Sequence, residues 1–175
     1  MSTRIDRRFE TLQANGEKGF VAYITAGDPG LKETEDIVLR LGEIGVDTVE
    51  LGSPFSDPLA DGRVNQESAA RALASGTTLD GIFKMVQRVR RHSDLPILCY
   101  TYMNPIHAHG AAGVLRDAAE AGIDGMLFLD LPVEESAPYV EWMRKFNVSN
   151  ITLVTPTTPP ARIARIVARA SGFVY

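Results

Sequence analysis

Short apolar runs alternate along the chain with longer stretches in which apolar residues recur every three or four positions. The runs are FVAYIT (Phe20 to Thr25), DTVEL, PILCY, GMLFLDL, NITLV and GFVY, rich in β-branched and aromatic residues, and they predict six strands. Between them the spacing predicts helices. Ile37, Val38, Leu41 and Ile44 mark one over Leu31 to Ile44, stopped by Gly45; others span Leu79 to Arg91, AAGVLRDAAEAG, Glu134 to Phe146 with Pro138 in its first turn, and Pro160 to Ala170. The N-terminal stretch MSTRIDRRFETLQANGEKG reads as a short amphipathic helix and has no apolar segment of the secretory type.

Strand starts fall about 25 residues apart, and about twice that between the second and third, which is the rhythm of βα units. The strands are nearly continuous apolar runs, so both faces are covered and the sheet is expected to be parallel. No G-x-G-x-x-G turn follows the first strand, which weighs against a dinucleotide fold. Polar residues gather instead at the carboxyl ends: Thr25, Glu50, Tyr102, Asp130, Thr155 and Tyr175. That is the layout of an α/β (β/α)8 barrel of the TIM type, in which chemistry sits at the C-terminal rim.

Composition fits this picture. With 175 residues, 45% hydrophobic and 23% charged, the chain is expected to form one domain over residues 1–175. A net charge of −4 argues against a general nucleic-acid or anionic-membrane surface, no membrane segment is visible, and a cytoplasmic location is expected. Cys99, the single cysteine, lies in PILCY and reads as a small buried hydrophobe. His107 and His109 lack the acidic or cysteine partners of a metal site, so no metal is expected. Trp142 reads as helix packing, and RVRRH (Arg88 to His92) as a solvated helix end.

The stretch VELGSPFSDPLADG concentrates the chemistry. In DTVELG, Thr48 and Glu50 share one face, while Val49 and Leu51 share the other and suit the helix layer. Glu50 then points into the barrel near its top, where desolvation raises a carboxyl pKa and favours proton transfer near neutral pH. Asp61 closes a loop stiffened by two prolines and can hold a second acid over the same pocket, or serve as N-cap of the helix beginning at RVNQ. Asp57 is open to the same choice as a turn residue.

In order and spacing, YITAGDP, VELGSPFSDPLADG, YMNPI, DLPVEES and TPTTP resemble the tryptophan synthase alpha-subunit family over essentially the whole chain. The resemblance implies a lyase that cleaves indole-3-glycerol phosphate to indole and glyceraldehyde 3-phosphate by retro-aldol chemistry, with no metal or organic cofactor of its own. It also implies a beta subunit that carries pyridoxal phosphate and receives the indole in an alpha2beta2 assembly. Glu50 matches the general acid/base, and Asp61 the carboxylate that meets the indole N–H. Tyr175 matches a tyrosine near the glycerol portion, while Tyr23, Tyr100, Tyr102, Leu127, Leu129 and Leu153 fall at pocket-lining positions. Asp57, Pro58 and Asn104 fall at the partner interface.

Two positions depart from the family pattern: Tyr100, where an aliphatic residue is more usual, and Arg63, where proline is. A barrel of this type needs about 250 residues and eight strands. The sequence given reaches only into the sixth, without the glycine-rich phosphate cradle expected of the last two βα units. A chain of this length is therefore expected to cleave its substrate poorly, or to act as a non-catalytic fragment that docks to or activates a beta subunit.

Overall fold

A computed structural model describes residues 2–175. The chain opens with helix α1 (Arg4–Asn15), then runs through β1 (Val21–Thr25), α2 (Leu31–Glu43) and β2 (Thr48–Gly52). Two helices follow, α3 (Arg63–Ala74) and α4 (Leu79–Val89), before β3 (Ile97–Thr101). The rest comprises α5 (Met103–Ala108), α6 (Ala111–Ala121), β4 (Gly125–Phe128), α7 (Ala137–Phe146), β5 (Ser149–Ile151) and α8 (Pro160–Val167). The strands form one parallel sheet in the order β1-β2-β3-β4-β5, with α2, α4, α6 and α7 packed in succession along one face. This is a partial (β/α) barrel.

Alternating side chains divide the interior in two. Val49 and Leu51 of β2, Ile97 and Cys99 of β3, and Met126 and Phe128 of β4 join the helices in the larger apolar core. Leu98, Leu127 and Ile151 point the other way, into the barrel, and meet Ile5 of α1. Burial on both faces explains the continuous apolar runs in the sequence. Local signals set the helix ends: Thr3 and Asp6 form a capping box at α1, and Gly45 follows α2 with φ of 92°. Pro138 lies in the first turn of α7, where its missing N–H is not needed.

Three expectations need correction. The sixth strand is reduced to a single parallel bridge between Thr152 and Val174, because only Ser171 to Tyr175 run beside β5. The short helix α5 was absent from the sequence reading; its first N–H, at Met103, donates to Asp130 Oδ1 at 2.8 Å, a tertiary contact that opens a helix at the start of MNPIHA. RVRRH is not solvated throughout, since the Arg90 side chain is only 10% exposed and pairs with Asp124 at 2.7 Å.

The amino ends of the strands are closed by buried charge. Asp124 receives Arg90, Arg4 at 3.1 Å and the N–H of Ile97 at 2.9 Å. Asp47 receives Arg8 and the N–H of Phe20, each at 2.6 Å. Arginines from α1 thus fasten that helix across the end of the barrel opposite the one where the polar residues collect.

Candidate active site

Glu50 occupies the middle of β2, registered between Tyr23 of β1 and Leu98 of β3, and therefore on the barrel face. It is 3% exposed, and its Oε1 is buried with no hydrogen-bond partner. Burial pushes the carboxyl pKa up to about 7. A group tuned this way populates both its acid and its base form near neutral pH, the requirement for a general acid or base.

Asp61 reaches the same end of the barrel from the loop after β2. It does not cap a helix: the N-cap of α3 is Gly62, and no side chain serves there. Instead Asp61 Oδ2 accepts the Tyr102 hydroxyl at 2.7 Å, its carbonyl accepts Gln66 Nε2 at 2.7 Å, and Oδ1 is buried without a partner. Each of the two acids therefore offers one unsatisfied buried oxygen, and such atoms are uncommon unless something else is meant to meet them.

Aromatic rings stand around the two acids. Tyr23 and Tyr100 meet edge to face at 5.3 Å, and burial raises both phenol pKa values, helped for each by the charge of Asp61. Tyr100, Leu129 and Leu153 are half-buried against the inner apolar cluster, of which Leu127 is a fully buried member. Tyr175 is 56% exposed, held by a backbone bond from its N–H to the Thr152 carbonyl at 2.8 Å, and its phenol is near enough to raise that of Tyr100. Tyr102 is buried and bonded to the Asp61 loop, so its place is behind the acid rather than along an open wall. The barrel face here thus combines apolar and aromatic side chains with two carboxyl groups, a set suited to a flat ring that carries an N–H.

The model of the tryptophan synthase alpha chain family matches residues 9–175. The chain is 47% identical over 173 residues to the tryptophan synthase alpha chain of Geobacter sp. (strain M21), covering 99% of this chain and 65% of that one. This chain belongs to the tryptophan synthase alpha chain family. It superposes on the crystal structure of tryptophan synthase subunit alpha from Legionella pneumophila str. Paris with a TM-score of 0.97 and 38% identity, over 100% of this chain and 67% of that one. With a tryptophan synthase complex from Pyrococcus furiosus the TM-score is 0.86 at 41% identity, over 90% of this chain and 65% of that one. The chain thus spans about two thirds of the length of the alpha chains it matches.

The rim of this alpha-chain barrel is open to contact. Asp57 is exposed and accepts the Ser56 hydroxyl at 2.5 Å, Asn104 is exposed on α5, and Pro58 is half-buried. Leu59 beside them is 88% exposed. His107 and His109 do not converge: one faces the Tyr139 hydroxyl at 3.1 Å and the other the Pro105 carbonyl at 2.9 Å. Among the described residues no group of three or more His, Cys, Asp or Glu comes together to hold a metal. No helix among them is long and apolar enough to cross a membrane.

One site residue escaped the sequence reading. Gly52 lies on the barrel face two positions beyond Glu50, and a Cβ built there would meet the Tyr23 hydroxyl at 2.2 Å and its ring at 2.7 Å. The two-residue alternation that placed Glu50 extends to Gly52 and would have placed it as well. Gly52→Ala is expected to displace the Tyr23 ring and destabilise the chain by about 1–3 kcal/mol. Tyr23→Leu, which removes the obstructing phenol, is expected to restore most of that loss. Chemical denaturation of the two single variants and the double variant checks this; equal losses with and without Tyr23→Leu would show that the ring is not the obstacle.

Proposed function

We propose that this site serves the cleavage of indole-3-glycerol phosphate to indole and glyceraldehyde 3-phosphate, within tryptophan biosynthesis. The observation that carries the reading is Glu50: buried on the barrel face, with Oε1 unpartnered and its pKa raised to about 7. Family membership supports the same substrate class.

Protonated Glu50 delivers its proton to the ring carbon that bears the glycerol chain, which interrupts ring aromaticity and leaves positive charge at nitrogen. Asp61 accepts the ring N–H through Oδ1 and stabilises that charge. The bond between ring carbon and side chain then breaks, and its electron pair returns to the ring. The adjacent hydroxyl loses its proton and becomes the aldehyde, with the newly formed Glu50 carboxylate as the available base. Proton transfer thus falls to Glu50 and charge stabilisation to Asp61, two carboxyl groups in different surroundings: Glu50 desolvated, Asp61 hydrogen-bonded. Tyr23, Tyr100, Leu129 and Leu153 flank the ring, Leu127 underlies it, and Tyr175 lies toward the glycerol portion.

The exposed rim of Asp57, Pro58 and Asn104 is proposed as the face toward a beta subunit in an alpha2beta2 assembly. That partner, rather than this chain, would carry pyridoxal phosphate and receive the indole. Solved relatives include a tryptophan synthase a2b2 complex from Pyrococcus furiosus, which supports the assembly. The exposed rim, where Leu59 is 88% exposed beside Asp57 and Pro58, favours a second reading, a non-catalytic unit that docks to or activates the beta subunit.

Release of glyceraldehyde 3-phosphate from indole-3-glycerol phosphate, measured with and without a beta subunit and against Glu50→Gln, separates the two. Turnover that depends on Glu50 establishes the lyase. Beta-subunit binding with no turnover from the folded chain establishes the docking unit.

A further inference from the structure

One hydroxyl touches both the backbone and the side chain of the Ala60–Asp61 step. Tyr102 Oη accepts the Ala60 N–H at 2.9 Å and donates to Asp61 Oδ2 at 2.7 Å. We propose that Tyr102 is a positioning residue for Asp61, holding one carboxylate oxygen so that the other is presented to the N–H of the bound ring. The inference rests on the reading of Asp61 given above, and it moves Tyr102 from the wall of the pocket to the support of the acid.

Rigidity passes from strand to loop through this contact. Tyr102 directly follows β3, is 3% exposed, and has its ring against Phe55 at 5.2 Å. The next residue begins α5 with its N–H held by Asp130. Asp61 lies 41 positions away in sequence, on a loop, and gains through Tyr102 an anchor that its own segment does not supply. Gln66 Nε2 holds the Asp61 carbonyl from the other side. With backbone and Oδ2 both tied, rotation of the carboxylate is restricted, and Oδ1 is left buried and unpartnered. A ring N–H is the donor such an oxygen lacks.

The double role of the hydroxyl adds strength as well as direction. Accepting from Ala60 polarises the O–H and makes it a better donor to the carboxylate. A hydrogen bond to a carboxylate is stronger than one between neutral groups, which tightens the hold on Oδ2. As a wall Tyr102 has little to offer, because the ring is buried and its hydroxyl is already engaged twice.

The test uses indole enriched in nitrogen-15 as probe, bound to the full chain. The ring N–H proton resonance reports its acceptor. Asp61→Asn is expected to move this resonance upfield, and Tyr102→Phe to move it the same way while weakening indole binding by about tenfold. Phe keeps the ring packed on Phe55 and leaves the fold in place. As a second measurement that does not depend on a Tyr102 variant, the Tyr102 phenol, raised to about 12 by burial and by Asp61, is expected to titrate lower in Asp61→Asn.

A resonance sensitive to Asp61→Asn yet unmoved by Tyr102→Phe overturns the positioning role alone. So does a Tyr102 titration indifferent to Asp61. A resonance insensitive to Asp61→Asn, or no indole binding by the unmodified chain, overturns the reading of Asp61 on which the inference rests.

Discussion

Glu50→Gln is expected to make the chain more stable at pH 8 and, on the lyase reading proposed above, to lower the rate of cleavage. The folded chain holds the Glu50 proton to about pH 7, against an ordinary value of 4.5. Below pH 4.5 the group is protonated whether the chain is folded or not, and it contributes no penalty. As pH rises from 4.5 to 7 the unfolded chain loses this proton first, so the folded state is progressively disfavoured. Above pH 7 the penalty is constant at about 3 kcal/mol.

Glutamine has no proton to lose. The variant should therefore match the parent near pH 4 and exceed it by up to about 3 kcal/mol at pH 8, as read from denaturant unfolding at the two pH values. Cleavage of indole-3-glycerol phosphate, measured beside it, should fall by about 10²–10⁴-fold, the usual weight of a general acid or base. Opposite signs for stability and activity are what a site held in an unfavourable ionisation environment for its chemistry should give. Equal stability of the two chains at pH 8 would mean that Glu50 is not desolvated as described. Unchanged cleavage by the variant would remove Glu50 from the chemistry.

At the other end of the barrel, Asp124→Asn is expected to cost about 3–5 kcal/mol. The substitution leaves an oxygen for the Ile97 N–H but strips the countercharge from Arg90, whose burial already lowers its pKa. Arg90 also donates to the carbonyls of Leu95 at 2.6 Å and Gly122 at 2.9 Å, and those bonds remain. What becomes unfavourable is an arginine charge with 10% side-chain exposure and its buried acidic partner gone. Adding Arg90→Met should recover part of the loss, because an apolar side chain needs no countercharge there. Denaturant midpoints of the three variants decide it; a loss below about 1 kcal/mol for Asp124→Asn would make the pair a peripheral one.

The contrast between the two ends bears on how much the sequence discloses. Strand positions were legible to within a residue or two at most ends because both faces of each strand are buried, which writes an apolar run directly into the chain. The phase of Glu50 followed from its neighbours Val49 and Leu51, and the structure places all three where alternation puts them. Long-range partners were not legible. Asp61 meets a tyrosine 41 residues on, Arg90 an aspartate 34 residues on, and the start of α5 is held by an aspartate 27 residues on. No local pattern records such pairs, so RVRRH read as a solvated end, Asp61 stayed open as a helix cap, and α5 went unseen. Pro105 added to that last miss: it discourages a helix reading of MNPIHA, yet it falls in the first turn, where proline is tolerated. The role proposed for Asp61 in VELGSPFSDPLADG came from the family resemblance, whereas its bond to Tyr102 is seen only in the folded chain.

Helix α1 has a bearing on the order in which the molecule is made. Ile5 is fully buried against Leu98, Leu127 and Ile151, Thr3 bonds to Ser149 across 146 positions, and Phe9 stacks on Phe173 at 5.2 Å. Part of the seat of α1 is therefore built from residues synthesised long after it. Until β5 exists that seat is incomplete, with Leu98 and Leu127 in place and Ile151 and Phe173 still missing. Contacts this distant in sequence are slow to form and leave apolar surface open to wrong partners meanwhile. The capping box at Thr3 and Asp6 fixes where α1 begins, but a helix of 12 residues is marginal by itself, so closing the base of the barrel is also what completes the helix.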